Sequence, residues 1–486
     1  MNRLYKKKFV LRNLFSEQNW YRLAIASLVI FSTCLRFWGL ERFDTFVFDE
    51  VHFANFAHNY LTNTPVFDAH PPLGKYFISF GIWIFGFNPI GYRYINALLG
   101  SFIPVLAMAI AYQLTGKRQM TLLAGIFTAF DGLLLVESRY ALLNTYLLLF
   151  GLLGNLFFLL TLHRRGWRQW IYLTFTGICF GAAIAVKWSG LNFTVAAYAI
   201  VLVLYFLQLC QKLFKKNFIT LINQHIDFKV ILPVEQINLP KLYQLACLPL
   251  VIYFIYVLAW QPHLKQNPGT IKEIEQQMYT FHKSYANRPE EHPYTSPWYT
   301  WPFMIRPVSY FYETTKSPNE LVLSQKSVPI NEASLVYDVH AMGNPLLYWL
   351  IVIAIFSLSF ILLDLFRLLI KDLIWSLDNN VKKPIVTINF FVYLYLVLSY
   401  SANLFSWAGV SRFTFLYHYI PASAFGFLAV AWFVNELIEN QPKFLKSVAI
   451  AITCAVIIVF LFFLPIYLGL PLSPKAFFLR MWLPTW

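Results

Sequence analysis

The sequence predicts an all-α polytopic membrane protein with about eleven spans, on three observations. Apolar side chains make up 58% of the 486 residues and charged ones only 13%, with a mean hydropathy of +0.55. A soluble domain carries about a quarter charged residues. The apolar residues gather in runs of about 20, the length a helix needs to cross a bilayer core. Phe, Tyr and Trp reach 19%, which suits a chain with long interfacial belts.

Taken in order, the runs lie at about 22–39, 93–114, 120–137, 141–162, 170–187, 190–210, 243–261, 345–366, 386–403, 414–435 and 446–469. The basic stretch Lys6, Lys7, Lys8 and Arg12 precedes the first run. No small-residue cleavage site follows it, so the run is expected to be an uncleaved span. A shorter, Gly-interrupted run at about 74–88 predicts an interfacial or partly inserted helix. The chain thus divides into an N-terminal transmembrane catalytic module at about 1–261 (first outer loop about 40–92), an extracytoplasmic loop region at about 262–344 and a C-terminal transmembrane module at about 345–486. Within the long loop a helix is expected after Pro268, followed by the aromatic–proline tract His292 to Pro302.

Charge sets the expected orientation. Lys117, Arg118, Arg164, Arg165, Arg168, Lys215, Lys216, Lys382, Lys383, Lys443 and Lys446 fall in alternate loops together with the N-terminal stretch. The positive-inside rule therefore puts the N-terminus in the cytoplasm, and an odd span count puts the C-terminus outside. The net charge of +15 marks topology and contact with anionic lipid, with no nucleic-acid partner. Cys34, Cys179, Cys210, Cys247 and Cys454 sit in or beside apolar runs without a CxxC pair. They suggest neither a disulfide framework nor a thiolate metal site.

In this topology the unusual polar motifs share the outer face. Phe48-Asp49-Glu50 precedes an apolar pattern with helical spacing (Phe53, Phe56, Ala57, Tyr60). Adjacent helical residues face different ways, so Asp49 and Glu50 should have distinct roles. They could equally be acidic residues capping that helix. In His70-Pro71-Pro72-Leu73-Gly74-Lys75, a lysine near a helix start opposes the dipole, which hints at a visiting anion; an ordinary interfacial turn with a snorkelling lysine is the alternative. Glu137-Ser138-Arg139 and Lys187-Trp188 are expected in short outer loops, with Arg412 and Tyr417-His418-Tyr419 nearby. Singly, such groups snorkel. Together with two carboxylates they suggest a site for an anionic lipid headgroup. The reaction they suggest is attack of a hydroxyl on the anomeric carbon of a polyprenyl-phosphate sugar. A carboxylate takes the proton and cations receive the leaving phosphate.

These motifs, taken together and in order, resemble the protein O-mannosyltransferases that use a lipid-linked mannose. The matching residues are Phe48 to Phe53, Asp68 to Lys75, Glu137 to Tyr140, Val186 to Gly190, His292-Pro293-Tyr294, Trp301-Pro302, Arg306-Pro307, Gly343-Asn344-Pro345, Tyr417-His418-Tyr419 and Arg480 to Trp486. The resemblance implies a GT-C type membrane fold, with Asp49 as base for a Ser or Thr hydroxyl and Glu50 as its partner. Arg139 matches a family arginine near the active site. The candidate donor-binding set is His70, Lys75, Arg139, Lys187, Arg412, His418 and Tyr419. The resemblance implies no tightly bound metal or other cofactor, a polyprenyl-phosphate-mannose donor and a secreted or membrane protein as acceptor. Relatives can work in pairs, so an oligomer is allowed, although no surface feature demands one.

The chain departs from the family in two places. Asn144 stands where relatives often carry Asp, and the long loop has no room for the β-trefoil domain of eukaryotic members, a bacterial-like feature. Two other readings are a transferase with a lipid or glycan acceptor and a secondary transporter. A transporter would place ionisable groups near the midplane of repeated, broken helices; here those stretches are nearly uncharged and no repeat is visible.

Overall fold

A computed structural model describes residues 17–213, 237–286, 292–320, 328–375, 390–439 and 441–486. The basic residues Lys6, Lys7, Lys8, Arg12, Lys215, Lys216, Lys382 and Lys383 lie outside them. The first span is α1 (Glu17–Phe37). Two short helices follow, α2 (Glu50–Leu61) and α3 (Leu73–Phe85), and then α4 (Pro89–Ser101) and α5 (Ile103–Thr115). Next come α6 (Arg118–Ala129), α7 (Gly132–Arg139), α8 (Asn144–Leu162), α9 (Trp167–Val186), α10 (Leu191–Leu213), α11 (Leu242–Gln266) and α12 (Ile271–Ala286). After the long loop the chain continues through α13 (Pro345–Trp375), α14 (Phe390–Phe405), α15 (Ile420–Ile438), α16 (Lys443–Leu468) and the short α17 (Pro474–Phe478).

Among the described residues, ten helices are long and apolar enough to cross a membrane. The expected span at about 120–137 is instead a bent pair, α6 and α7, meeting at 60°. Counting that pair as one span gives eleven. The bend has one local cause and one that is distant in sequence. Asp131 caps α7 by accepting the Leu134 N–H (2.8 Å), which starts a new helix. The Tyr467 ring fills the space beside Gly132, where a Cβ would lie 2.1 Å from Tyr467 Cζ. The remaining spans pack closely where small residues face aromatics, as at Gly154, whose missing Cβ would meet the Phe180 ring at 2.4 Å.

The chain departs from an all-helical plan in a two-stranded antiparallel hairpin of the long loop. It pairs β1 (Val308–Thr315) with β2 (Leu335–Ala341), from Val308↔Ala341 to Thr315↔Leu335, with a bulge between Ser309 and Phe311. A bulge re-aims side chains, and here Tyr310 is buried (5% exposed) and turned toward the bundle. Its ring stacks on Phe48, with centroids 4.0 Å apart and planes 4° from parallel. Phe43 packs on Phe311 at 4.5 Å. The hairpin therefore braces the segment that leads into α2.

Candidate active site

Asp49 occupies the N-cap position of α2, and its side chain makes no cap hydrogen bond. The capping alternative therefore does not describe it. The preceding residue, Phe48, has φ 55°. For a bulky side chain this left-handed conformation costs about 1–3 kcal/mol and persists only where the surroundings over-determine it. The Tyr310 stack supplies that restraint. The half-buried Asp49 carboxyl is pushed above the usual carboxylate range by desolvation, with Asp68 adding to the rise. Lys187 and His52 pull it back down.

Lys187 lies between α9 and α10, where the first span of the pair ends and the chain turns through a short 3-10 segment, Trp188–Gly190. Its ammonium donates to Asn144 Oδ1 (2.8 Å) and stands 5.7 Å from the centre of the Tyr417 ring. Burial lowers its pKa to about 8, opposed by the Glu137, Asp49 and Asp68 carboxylates and reinforced by Arg412.

Lys187 forms part of the wall of a cavity of about 470 Å³, with His70, Trp188, Asn192, His282, Lys283, Trp407, Arg412 and His418. His70 is held neutral: burial pushes its pKa well down, and Lys187, His282, Lys75 and Arg412 push the same way. His282 is lowered too, by burial first and Arg412 second, and its Nε2 lies 2.9 Å from the Ala69 carbonyl. His418 packs against Trp407 with ring centroids 4.3 Å apart, and its Nδ1 sits 3.0 Å from both the N–H and the carbonyl of Phe415. The cavity thus pairs cations (Lys187, Arg412, Lys283) with neutral imidazoles, a lining that suits an anion bearing hydroxyl-rich substituents. Every contributor lies near a span end or in a connecting segment, so the cavity opens at one end of the bundle.

Of the nine residues expected at the site, His70, Lys187, Arg412 and His418 line this cavity. Asp49 does not line it, but its charge acts on Lys187, which does. The other four are engaged with other groups of the chain. Glu50 is fully buried against Arg93. Its Oε1 accepts from Arg93 Nε (2.9 Å) and the Ala141 N–H (2.8 Å), and its Oε2 from Arg93 Nη2 (2.8 Å) and the Val47 N–H (2.8 Å). No lone pair is left for a substrate, so Glu50 clamps the loop instead of reacting. Lys75 does have its anion, but that anion is Asp68 of this chain, and its other contacts are the carbonyls of His70 (2.8 Å) and Pro71 (3.3 Å). Tyr419 is buried, with its hydroxyl 2.7 Å from that of Tyr400.

Arg139 sits in the last turn of α7 and donates to the carbonyls of Leu35 (2.6 Å), Arg36 (3.2 Å), Trp38 (2.7 Å) and Gly39 (3.3 Å). It caps the C-terminal end of α1, whose last carbonyls otherwise lack donors. Arg139→Ala is therefore expected to lower the unfolding midpoint in detergent. The loss falls on stability, where hydrogen bonds from a charged group contribute about 1.5–3 kcal/mol. The apparent KM for a lipid-linked donor, measured on the folded fraction, should stay within about twofold, since none of the four carbonyls lines the cavity.

The sequence reading missed His282 and Lys283. The helix after Pro268 was expected and is α12 (Ile271–Ala286), but its His282 and Lys283 were not singled out as site residues. Tyr310 was missed with the hairpin. Asn144, noted in the sequence only as a departure from the family, is the hydrogen-bond partner of Lys187.

Fold and site together define a polytopic helical membrane protein with a cavity lined by cations and imidazoles at one end of its bundle. A family model described as "Dolichyl-phosphate-mannose-protein mannosyltransferase" matches residues 26–92 and 86–255, and one described as "C-terminal four TMM region of protein-O-mannosyltransferase" matches residues 269–486. The chain belongs to the protein O-mannosyltransferase family of membrane glycosyltransferases. It is 24% identical over 497 residues to a polyprenol-phosphate-mannose–protein mannosyltransferase of Mycolicibacterium smegmatis, covering 90% of this chain and 87% of that one. To the protein of the same name in Mycobacterium tuberculosis it is 22% identical over 519 residues, covering 94% and 90%. Its fold is similar to that in the Saccharomyces cerevisiae Pmt1–Pmt2 complex bound to the sugar donor, with a TM-score of 0.76 at 16% identity, covering 96% of this chain and 92% of that one.

Proposed function

We propose that this chain transfers mannose from a polyprenyl-phosphate-mannose donor to Ser or Thr hydroxyls of proteins, with inversion at the anomeric carbon. The observation that carries the reading is the meeting of Lys187 and Arg412 in one cavity beside an uncapped Asp49. In the reaction the acceptor oxygen forms a bond to the anomeric carbon as the bond from that carbon to the phosphate oxygen breaks. The acceptor proton goes to the Asp49 carboxylate. The phosphate departs with the bonding electrons and is met by Lys187 and Arg412, so it needs no general acid. One displacement inverts the centre. These side-chain cations take the neutralising role, and the reading requires neither a metal nor another cofactor.

A groove beside the cavity supports a prenyl carrier. It has a volume of about 610 Å³ and an almost wholly apolar lining from Ile184, Leu191, Val195, Ala199, Leu202 and Tyr253. It adjoins the cavity through Trp188, whose Nε1 donates to the Tyr256 hydroxyl (3.4 Å). A phosphate at Lys187 would thus have an apolar path for its tail between α10 and α11. Ala199→Trp fills the groove and is expected to raise KM for a long polyprenyl donor about tenfold or more, the equivalent of losing one or two buried methylenes. A short-chain, water-soluble donor should lose little, and an equal loss for both donors would remove the groove from the tail path.

We place the cavity on the extracytoplasmic side of the cell membrane, with the N-terminus in the cytoplasm and the C-terminus outside. The support is the clustering of the cavity residues at one end of eleven spans and of Lys117, Arg164, Arg165 and Lys443 at the other. The deciding experiment supplies the purified chain in bilayers with labelled polyprenyl-phosphate-mannose and a Ser/Thr peptide. The expected result is label on the peptide hydroxyls. Label appearing only on lipid or glycan would overturn the choice of acceptor.

A further inference from the structure

Glu137 lies in the last turn of α7 with 1% of its surface exposed, and no step of the proposed reaction uses it. It is nonetheless tied to the site at both oxygens. The Tyr310 hydroxyl donates to its Oε1 (2.5 Å), and Asn144 Nδ2 donates to its Oε2 (3.2 Å). Asn144 Oδ1 in turn accepts from Lys187 Nζ (2.8 Å). The chemistry fixes the orientation of this amide. A carboxylate only accepts and an ammonium only donates, so the nitrogen must face Glu137 and the oxygen Lys187. Asparagine is suited to bridge the two. An aspartate at position 144 would set two carboxylates about 3 Å apart, and one of them would have to hold a proton. The departure noted in the sequence is thus part of a charge-matched chain.

We propose that Glu137 is a positioning residue that acts on Lys187 through Asn144, orienting the ammonium toward the cavity and keeping it charged. This rests on the reading that Lys187 faces the carrier phosphate. The other oxygen of Glu137 links the same chain to Tyr310, and through the Phe48 stack to the backbone that sets Asp49. One buried carboxylate therefore couples the cation at the phosphate to the placement of the base. The other groups that act on Lys187 are Asp49, Asp68 and Arg412, the imidazoles of His70, His282 and His418, and the Tyr417 ring.

Two substitutions should move the Lys187 titration in opposite directions. Glu137→Gln keeps the shape and removes the negative charge. Its one carbonyl oxygen can still accept from Asn144 while its amide nitrogen donates to the Tyr310 oxygen, so the ammonium loses its proton at lower pH. In Asn144→Asp the two carboxylates share one proton, so the net charge is unchanged, but that charge moves from behind the amide to direct contact with the ammonium, and the lysine proton is kept to higher pH. A lysine acting as a cation loses function as pH rises through its pKa. The alkaline limb of kcat/KM, which reports the free enzyme and is expected near pH 8 in the parent, should therefore shift down by about one unit in the first variant and up by about one in the second. The same midpoints are read without donor from the pH dependence of Lys187 acylation by a small amine reagent, quantified by mass spectrometry. A role confined to folding would lower the melting midpoint and leave both limbs in place.

Unmoved midpoints in both variants would overturn the proposal. Should Glu137→Gln fail to fold, the near-isosteric Asn144→Asp carries the decision through its upward shift. Opposite shifts in labelling from a chain that transfers no mannose would leave the coupling standing and refute the proposed function. Transfer with unmoved midpoints would do the reverse.

Discussion

Asp49→Asn is expected to lower turnover by about 10²–10⁴-fold, the range a positioned general base contributes, while the protein inserts and melts as the parent does. The amide preserves the volume and cannot take a proton at neutral pH. Folding should be spared because the Asp49 side chain caps nothing, and the strained turn before it is restrained by Phe48 stacked on Tyr310. The pH profile adds a second mark. Desolvation holds the parent Asp49 above the usual carboxylate range. A base with a raised pKa is protonated, and so inactive, at pH values where an ordinary aspartate still works. The acid limb of kcat/KM, which reports the free enzyme, should accordingly lie above that range in the parent and be absent from the residual activity of the variant. Turnover near the parent level in Asp49→Asn would remove the base from the mechanism.

Glu50→Ala is expected to act through the fold, although Glu50 is the immediate neighbour of the base. Both its carboxylate and the Arg93 guanidinium are fully buried. Removing one member of such a pair costs about 3–5 kcal/mol, because the other charge is left in the interior without its partner. Arg93 also donates to the carbonyls of Leu40 (2.6 Å), Phe43 (2.8 Å) and Thr45 (2.9 Å), so the loss should loosen the whole approach to α2. The measurement is the unfolding midpoint in detergent, with Arg93→Met and the double variant closing a cycle. The double variant should lose less than the two singles summed, since neither charge is then left alone. An inactive Glu50→Ala that melts as the parent does would return Glu50 to the chemistry.

Much of the fold was legible because hydropathy and length decide membrane spans with little help from tertiary contacts. The short helices α2 and α3 were legible too, since their apolar spacing and the Pro71-Pro72 turn are local signals. Two features were not read. The 60° break at Asp131-Gly132 depends on Tyr467, which is distant in sequence and fills the space at Gly132. The hairpin carried a β signature in the run Val308 to Thr315, rich in aromatic and β-branched residues, but its partner strand lies some twenty residues on.

In the site, the types of residue were visible but their partners were not. Lys75 was expected to attract an anion, and it does, but the anion is Asp68. Arg139 was expected at the site, but its Nη groups donate to carbonyls at and just beyond the end of α1. A charge next to a motif reads the same whether it is free or spent inside the protein, and burial separates the two cases. Asn144 shows the converse. With no charge of its own, it gave no signal until Lys187 and Glu137 were seen on either side of it.

The most direct test of the central claim is a structure of the chain with an intact polyprenyl-phosphate-mannose bound. The account predicts the phosphate within hydrogen-bonding distance of Lys187 and Arg412. The anomeric carbon should face the Asp49 carboxylate, with room between them for a hydroxyl about 3 Å from the base. A phosphate bound away from Lys187 and Arg412, or a sugar whose anomeric carbon Asp49 cannot reach through a single hydroxyl, would contradict it.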